Sequence, residues 1–232
     1  MKKQLAYVVA TGLAAVVWSA GAAANLVSNG SFETPVISNG SPGVQTVTAN
    51  GTTITDWTVG ASNSVDIVRQ SSSGPGAWAN AGNQAIDMSG SGSFGPADLF
   101  QTITTTVGQN YLLSLWTTSN DFGTGNPSSY TNGQNDALSV KWGNSLLNIA
   151  GDETFDAPKQ GTWAQYQFTV TGTGSDVLTF KGLVTTASGA LVDNVSLTAV
   201  PLPPAIILFG SVLFGFATMA RKRRVGEGAL AA

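Results

Sequence analysis

The chain has no cysteine and no histidine. Without cysteine no disulfide can hold the fold, so an exported domain of this kind must rely on its core. Without histidine the Ser-His and Cys-His nucleophile systems, the His-ligated zinc sites and the haem sites with an axial His are excluded. Any metal should then be a hard cation bound by oxygen. Basic residues are the next scarcity. Lys and Arg number 10 against 13 acids in 232 residues, and six of the ten lie close to the two ends. The interior keeps Arg69, Lys141, Lys159 and Lys181 against twelve acids, a net charge of −8. A nucleic-acid footprint needs a basic face, so no nucleic-acid partner is expected. A G-x-S-x-G elbow, a P-loop, an internal repeat and a useful amphipathic helix are all missing from the interior.

What is present begins at the ends. Lys2 and Lys3 precede an apolar run from Leu5 to Trp18, and Ala22-Ala23-Ala24 fits the A-x-A rule with cleavage before Asn25. Residues 1–24 therefore read as a secretory signal peptide. At the other end, Val200-Pro201-Leu202-Pro203 opens a stretch that is uncharged and mostly apolar from Ala205 to Ala220. Arg221, Lys222, Arg223 and Arg224 follow it. The 19 residues from Leu202 to Ala220 reach roughly 28 Å as a helix, close to the thickness of a bilayer core. A transmembrane helix over about 204–220 is predicted, with the basic cluster and the short tail 225–232 held on the cytoplasmic side.

This ordered pattern over residues 200–224 resembles the PEP-CTERM sorting signal of Gram-negative bacteria, in its VPLP variant. The resemblance implies that a membrane protease of the exosortase type removes the tail. It also implies a transient stay in the inner membrane, followed by release to the cell surface or extracellular matrix. A plain C-terminal membrane anchor is the alternative, and both readings place residues 25–199 outside the cytoplasm.

Residues 25–199 are long enough for one domain with a real core. Turn dipeptides punctuate them: Asn29-Gly30, Asn39-Gly40, Pro42-Gly43 and Asn50-Gly51. Strands are predicted at Val65 to Val68, Gln84 to Met88, Leu99 to Val107 and Tyr111 to Thr118, the last two as a hairpin around Gly108-Gln109-Asn110. Leu138, Val140 and Trp142 alternate with Ser139 and Lys141, and Tyr166, Phe168 and Val170 with Gln165, Gln167 and Thr169. Such alternation marks half-buried strands. Val177 to Lys181 and Leu191 to Thr198 close the series. Short strands with Gly-rich turns imply an all-β antiparallel sandwich or jelly roll. The polar stretch Ser119 to Asp136 is an unusually long loop, of the sort that carries function.

NLVSNGSFETP at the start and LVDNVSLT at the end are similar to the first and last strands of galactose-binding-like jelly rolls. VDIV, Trp78, NQAIDMSG and LFQTITTTVGQNYLLSLW, in that order, resemble the choice-of-anchor family of bacterial surface proteins. The resemblance implies a non-catalytic β-sandwich associated with carbohydrate: exopolysaccharide or cell-wall glycan. A matrix scaffold without specific ligand and a secreted glycosidase are the competing readings.

Candidate site residues follow. Period-two alternation puts Leu191, Asp193, Val195 and Leu197 on one face, so Asp193 would be a carboxylate on an apolar face. A buried carboxylate must be paired, hydrogen-bonded or metal-bound. Jelly rolls of the kind resembled here imply a structural Ca²⁺ held by Glu33 and Asp193; the alternative is that Asp193 accepts turn N–H groups at the sheet rim. Trp116 and Trp142 sit in good strands and read as core. Trp78, in a Gly/Pro/Ala loop, and Tyr130, in the long loop, are the candidate platforms on which a sugar face would stack.

Overall fold

The computed structural model describes residues 24–38, 43–69, 79–93, 95–120, 138–158, 161–185 and 188–201. The described residues form eleven strands: β1 (Gly43–Thr48), β2 (Thr58–Val59), β3 (Ser64–Arg69), β4 (Gln84–Asp87), β5 (Asp98–Thr104), β6 (Asn110–Ser119), β7 (Leu138–Trp142), β8 (Ser145–Leu146), β9 (Ala164–Thr171), β10 (Ser175–Gly182) and β11 (Ala190–Ala199). They build a six-stranded sheet in the order β1-β3-β4-β11-β6-β9 and a five-stranded sheet in the order β2-β5-β10-β7-β8. All pairings are antiparallel.

Alternation decides what each strand buries. Val65 and Ile67 of β3, Ile86 of β4, Leu113 and Leu115 of β6, and Phe168 and Val170 of β9 point inward from the larger sheet. Leu99 and Ile103, Val140, Leu178 and Phe180 meet them from the smaller one. One apolar core thus lies between two sheets, the sandwich that the short alternating strands predict. The predicted hairpin of β5 and β6 is not formed. Gly108 has φ 77° and turns the chain, but β5 joins the five-stranded sheet and β6 the six-stranded one. The same happens at Gly174 (φ 110°) between β9 and β10. Both turns cross the sandwich because β5 and β10 pair with each other over seven residues. A local turn signal carries no information about that distant partner.

The opening segment is stapled to the last strand. Leu26 N donates to Leu197 O (2.9 Å), Val195 N to Gly30 O (2.8 Å) and Leu197 N to Asn25 Oδ1 (2.8 Å). Phe32 is buried beside Trp57, with ring centroids 5.3 Å apart, and Trp57 Nε1 donates to Ser28 O (3.2 Å). Gly30 is required by proximity: a Cβ there would lie 2.1 Å from the carbonyl oxygen of Val195. Gly30→Ala is expected to destabilise the domain by about 1–3 kcal/mol in denaturant melts, because backbone and not a soft side chain stands in the way.

Among the described residues no helix is long and apolar enough to cross a membrane. The signal peptide (residues 1–24, Ala22 included), apart from Ala24, and the predicted transmembrane helix lie outside the described residues, as do Leu202, Pro203 and Arg221 to Arg224. Val200 and Pro201 are described and exposed. Val200 closes the domain by donating its N–H to Asn110 O (2.9 Å).

Candidate functional site

The last strand does not keep its period. Asp193 pairs with Trp116 and Ser196 with Ser114, so three steps on β11 match two on β6. The extra residue is a bulge, and Asn194 sits there at φ 49°. Leu191 and Asp193 therefore face away from the core, while Val195 and Leu197 face into it with Ala190 and Val192. This corrects the expectation that Asp193 shares its face with Val195 and Leu197. One inserted residue exchanges the two faces.

Asp193 is fully buried at this outer face, capped by the chain just before β4. Its Oδ2 accepts N–H groups from Asn80 (2.6 Å) and Ala81 (2.7 Å), and its Oδ1 accepts from Asn194 N (2.5 Å). Glu33 Oε1 accepts from Asn83 N (2.7 Å) and Gln84 N (2.8 Å). Gly82, at φ 74°, lets Glu33 lie against the backbone; a Cβ there would be 2.4 Å from Oε1. Burial pushes Asp193 up to about 7, N–H groups of Ala81, Asn194 and Asn80 oppose the rise, and the charge of Glu33 adds to it. Glu33 and Asp193 thus both accept N–H groups from the segment Asn80 to Gln84.

The outer face of the six-stranded sheet carries a second group of residues. Trp116, expected in the core, is half-buried here. Its neighbours in register are Asp193 on β11 and Gln165 on β9. The period-two row Leu112, Ser114, Trp116, Thr118 on β6 was the available signal, since its polar members do not suit a core. Ser114 and Ser196 are bonded across the strands (3.1 Å), and Gln165 and Gln167 stand exposed on the edge strand β9. Trp163, half-buried, packs against Val68, Ala85 and Leu191, a small apolar cluster separate from the main core. Trp142 is buried as expected and donates Nε1–H to Thr171 O (3.0 Å). Trp78 and Tyr130 lie outside the described residues.

Further along this face two acids stand opposite each other. Asp66 on β3 pairs in register with Asp87 on β4, and both are buried. Asp87 Oδ1 accepts from Ser89 N and Gly189 N, each at 2.9 Å, and Oδ2 from Asn120 Nδ2 (2.6 Å). Asp66 Oδ2 accepts from Ser91 N (2.9 Å). Burial pushes Asp87 up to about 8 against the pull of Ser89, Asn120 and Gly189, with Asp66 reinforcing the rise.

Fold and site together define an antiparallel β-sandwich whose larger sheet turns an outer face of tryptophan, amide and carboxylate side chains away from the core. The chain belongs to the family described as "Protein of unknown function (DUF642)", whose model matches residues 25–198. No curated protein matches it. Among solved structures it is similar to TmCBM61 in complex with β-1,4-galactotriose, at TM-score 0.46 and 16% identity, covering 76% of this chain and 99% of that one. A family 35 carbohydrate-binding module from Clostridium thermocellum gives TM-score 0.41 and 11% identity, covering 68% and 99%. The CBM22-1 xylan-binding domain from Paenibacillus barcinonensis Xyn10C gives 0.39 and 10%, covering 72% and 100%.

Proposed function

We propose that the chain is an exported, non-catalytic surface or matrix protein that binds polysaccharide through the outer face of its six-stranded sheet. The observation that carries this is the pair Trp116 and Trp163, half-buried at that face, with the exposed amides of Gln165 and Gln167 beside them. Tryptophan rings offer flat apolar surface to the C–H face of a sugar, and amides serve its hydroxyls as donor and acceptor. The opposed acids on this face do not make a glycosidase. Hydrolysis needs two carboxyl groups flanking the sugar from opposite sides, whereas Asp66 and Asp87 are buried side by side on adjacent strands.

A glycan array with the full chain tests the reading. Trp116→Ala and Trp163→Ala are each expected to weaken binding at least tenfold, and the Gln165→Ala/Gln167→Ala pair by less. Trp78→Ala and Tyr130→Ala test the loop platforms in the same array. Unchanged binding in the Trp116 and Trp163 variants overturns the face assignment, and no binding by the wild type leaves the scaffold reading in its place.

Export rests on the terminal patterns. The tail is read as an exosortase substrate anchored briefly in the inner membrane and then released to the cell surface or matrix. In fractionated cells a form lacking the tail should appear outside, and Ala at Arg221 to Arg224 should hold it back. A Ca²⁺ between Glu33 and Asp193 belongs to the same reading; it predicts that Glu33→Gln removes the part of any calcium-dependent rise in Tm that this ion contributes.

A further inference from the structure

We propose that Asp66 and Asp87, with Asn120, hold a divalent cation of the Ca²⁺ class on the outer face of the six-stranded sheet. The site is separate from Glu33 and Asp193. Strands β3 and β4 pair so that Asp66 meets Asp87 and Ile67 meets Ile86. The isoleucines go to the core, so both acids go to the other face. There Asp66 is 3% exposed and Asp87 1%. Two carboxylates of like charge at neighbouring positions repel each other, more strongly once water is removed.

No basic side chain among the described residues balances them. Among the described residues the only ion pair joins Lys181 to Asp98, on the other sheet. Asp66 Oδ1 is buried and has no hydrogen-bond partner. A buried polar atom in that condition is destabilising, more so when it is charged. The same carboxylate's Oδ2 is held by Ser91 N, and Asp87 Oδ1 by Ser89 N and Gly189 N. Backbone N–H groups thus fix one oxygen of each acid. They leave Asp66 Oδ1 and Asp87 Oδ2 as the oxygens for an ion, an arrangement in which outer contacts orient inner ligands. Asn120 reaches Asp87 Oδ2 through Nδ2. Turning its amide over exchanges that donor for a carbonyl oxygen, a third neutral ligand.

The chemistry selects the ion. The donors are oxygens only, and the two carboxylate charges balance a divalent cation. Ca²⁺ accepts six to eight oxygens in irregular geometry, so water or carbonyl oxygens complete the shell, whereas Mg²⁺ demands a near-ideal octahedron. No group of three or more acids placed to hold a metal ion occurs among the described residues. Two carboxylates give modest affinity, about 10⁻⁴–10⁻³ M, the range of extracellular modules. The bound ion would tie the chain at Ser89 to Ser91 and at Gly189 to the sheet.

Calorimetric titration of the chelator-stripped full chain with CaCl₂ at pH 8 tests this. One ion is expected at Asp66 and Asp87, apart from any at Glu33 and Asp193, with a Tm higher by a few degrees in about 10 mM Ca²⁺. Asp66→Asn and Asp87→Asn should each weaken binding at least tenfold, and Asn120→Ala, a smaller change, by less. Glu33→Gln should leave binding at Asp66 and Asp87 intact. A wild type that neither binds nor shifts overturns the proposal. So does Asp66→Asn, or Asp87→Asn if the first does not fold, binding as the wild type does. Loss of binding in Glu33→Gln with retention in both Asp variants moves the ion to Glu33 and Asp193 and overturns it too.

Discussion

In calcium-free buffer the domain should be most stable near pH 5 and lose stability steadily up to about pH 8. The cause is burial. Asp87 is raised from its ordinary 3.8 to about 8 and Asp193 to about 7, both chiefly by desolvation. Each therefore holds its proton in the folded state long after the unfolded chain has released it. A raised pKa contributes stability that is complete below the unfolded value and lost as pH climbs through the folded value. The window is thus pH 4 to 8. For Asp87 the scale is on the order of 5 kcal/mol at about 1.36 kcal/mol per pH unit. Asp176 acts in the opposite sense. Burial raises it, but bonds from Thr105 and Thr173 outweigh that and hold it low, so its contribution disappears only under acid. With no histidine in the chain, no imidazole contributes to a slope around neutrality. Asp87→Asn should flatten most of it. Its Oδ1 still accepts from Ser89 and Gly189, and its Nδ2 requires the Asn120 amide to turn. Urea melts at pH 5, 7 and 9 measure the slope; equal stability at all three would show that neither acid is protonated in the fold.

Trp57→Ala is expected to cost about 3–5 kcal/mol, while Trp116→Ala costs about 1 kcal/mol or less. Trp57 is fully buried between Phe32, at 5.3 Å, and Phe180, at 5.7 Å between ring centroids. Its Nε1–H also holds the opening segment at Ser28 and Asn29. Removing it opens a cavity between the sheets and frees the segment that pairs with β11. Trp116 faces away from the core and leaves no such void. Guanidinium melts of the two variants measure the difference, and glycan binding should fall in the reverse order. Comparable destabilisation by both would mean that Trp116 is a packing residue.

The strands themselves were legible. Leu138 to Trp142 and Ala164 to Thr171 alternate so cleanly that their inward and outward faces read directly, and in the strand expected at Val65 to Val68 Asp66 and Val68 separate from Val65 and Ile67. Asn50-Gly51 and Asn29-Gly30 mark real turns, with Asn50 and Asn29 at positive φ. Strand β1 was missed because its residues GVQTVT lie among turn signals. The site was less legible. Trp116 was assigned to the core because it sits in a strong strand, and strand strength says nothing about which face a side chain takes. Asp193 was found as a buried acid, but it was put on one face with Val195 and Leu197, which the bulge turns to the opposite side. Asp66 and Asp87 were visible only as members of two separate motifs, since nothing local marks them as partners.

The sequence alone determined the class: a cysteine-free, acidic, strand-built body, turned at its Asn-Gly and Gly-rich dipeptides and flanked by two hydrophobic runs. These are properties of neighbouring residues, and alternation with period two is enough to sort inside from outside. The tertiary structure alone decided which strands are partners, and so which carboxylates meet. Pairing across more than a hundred residues depends on the whole core closing at once, and a single bulge at Asn194 reverses every face beyond it.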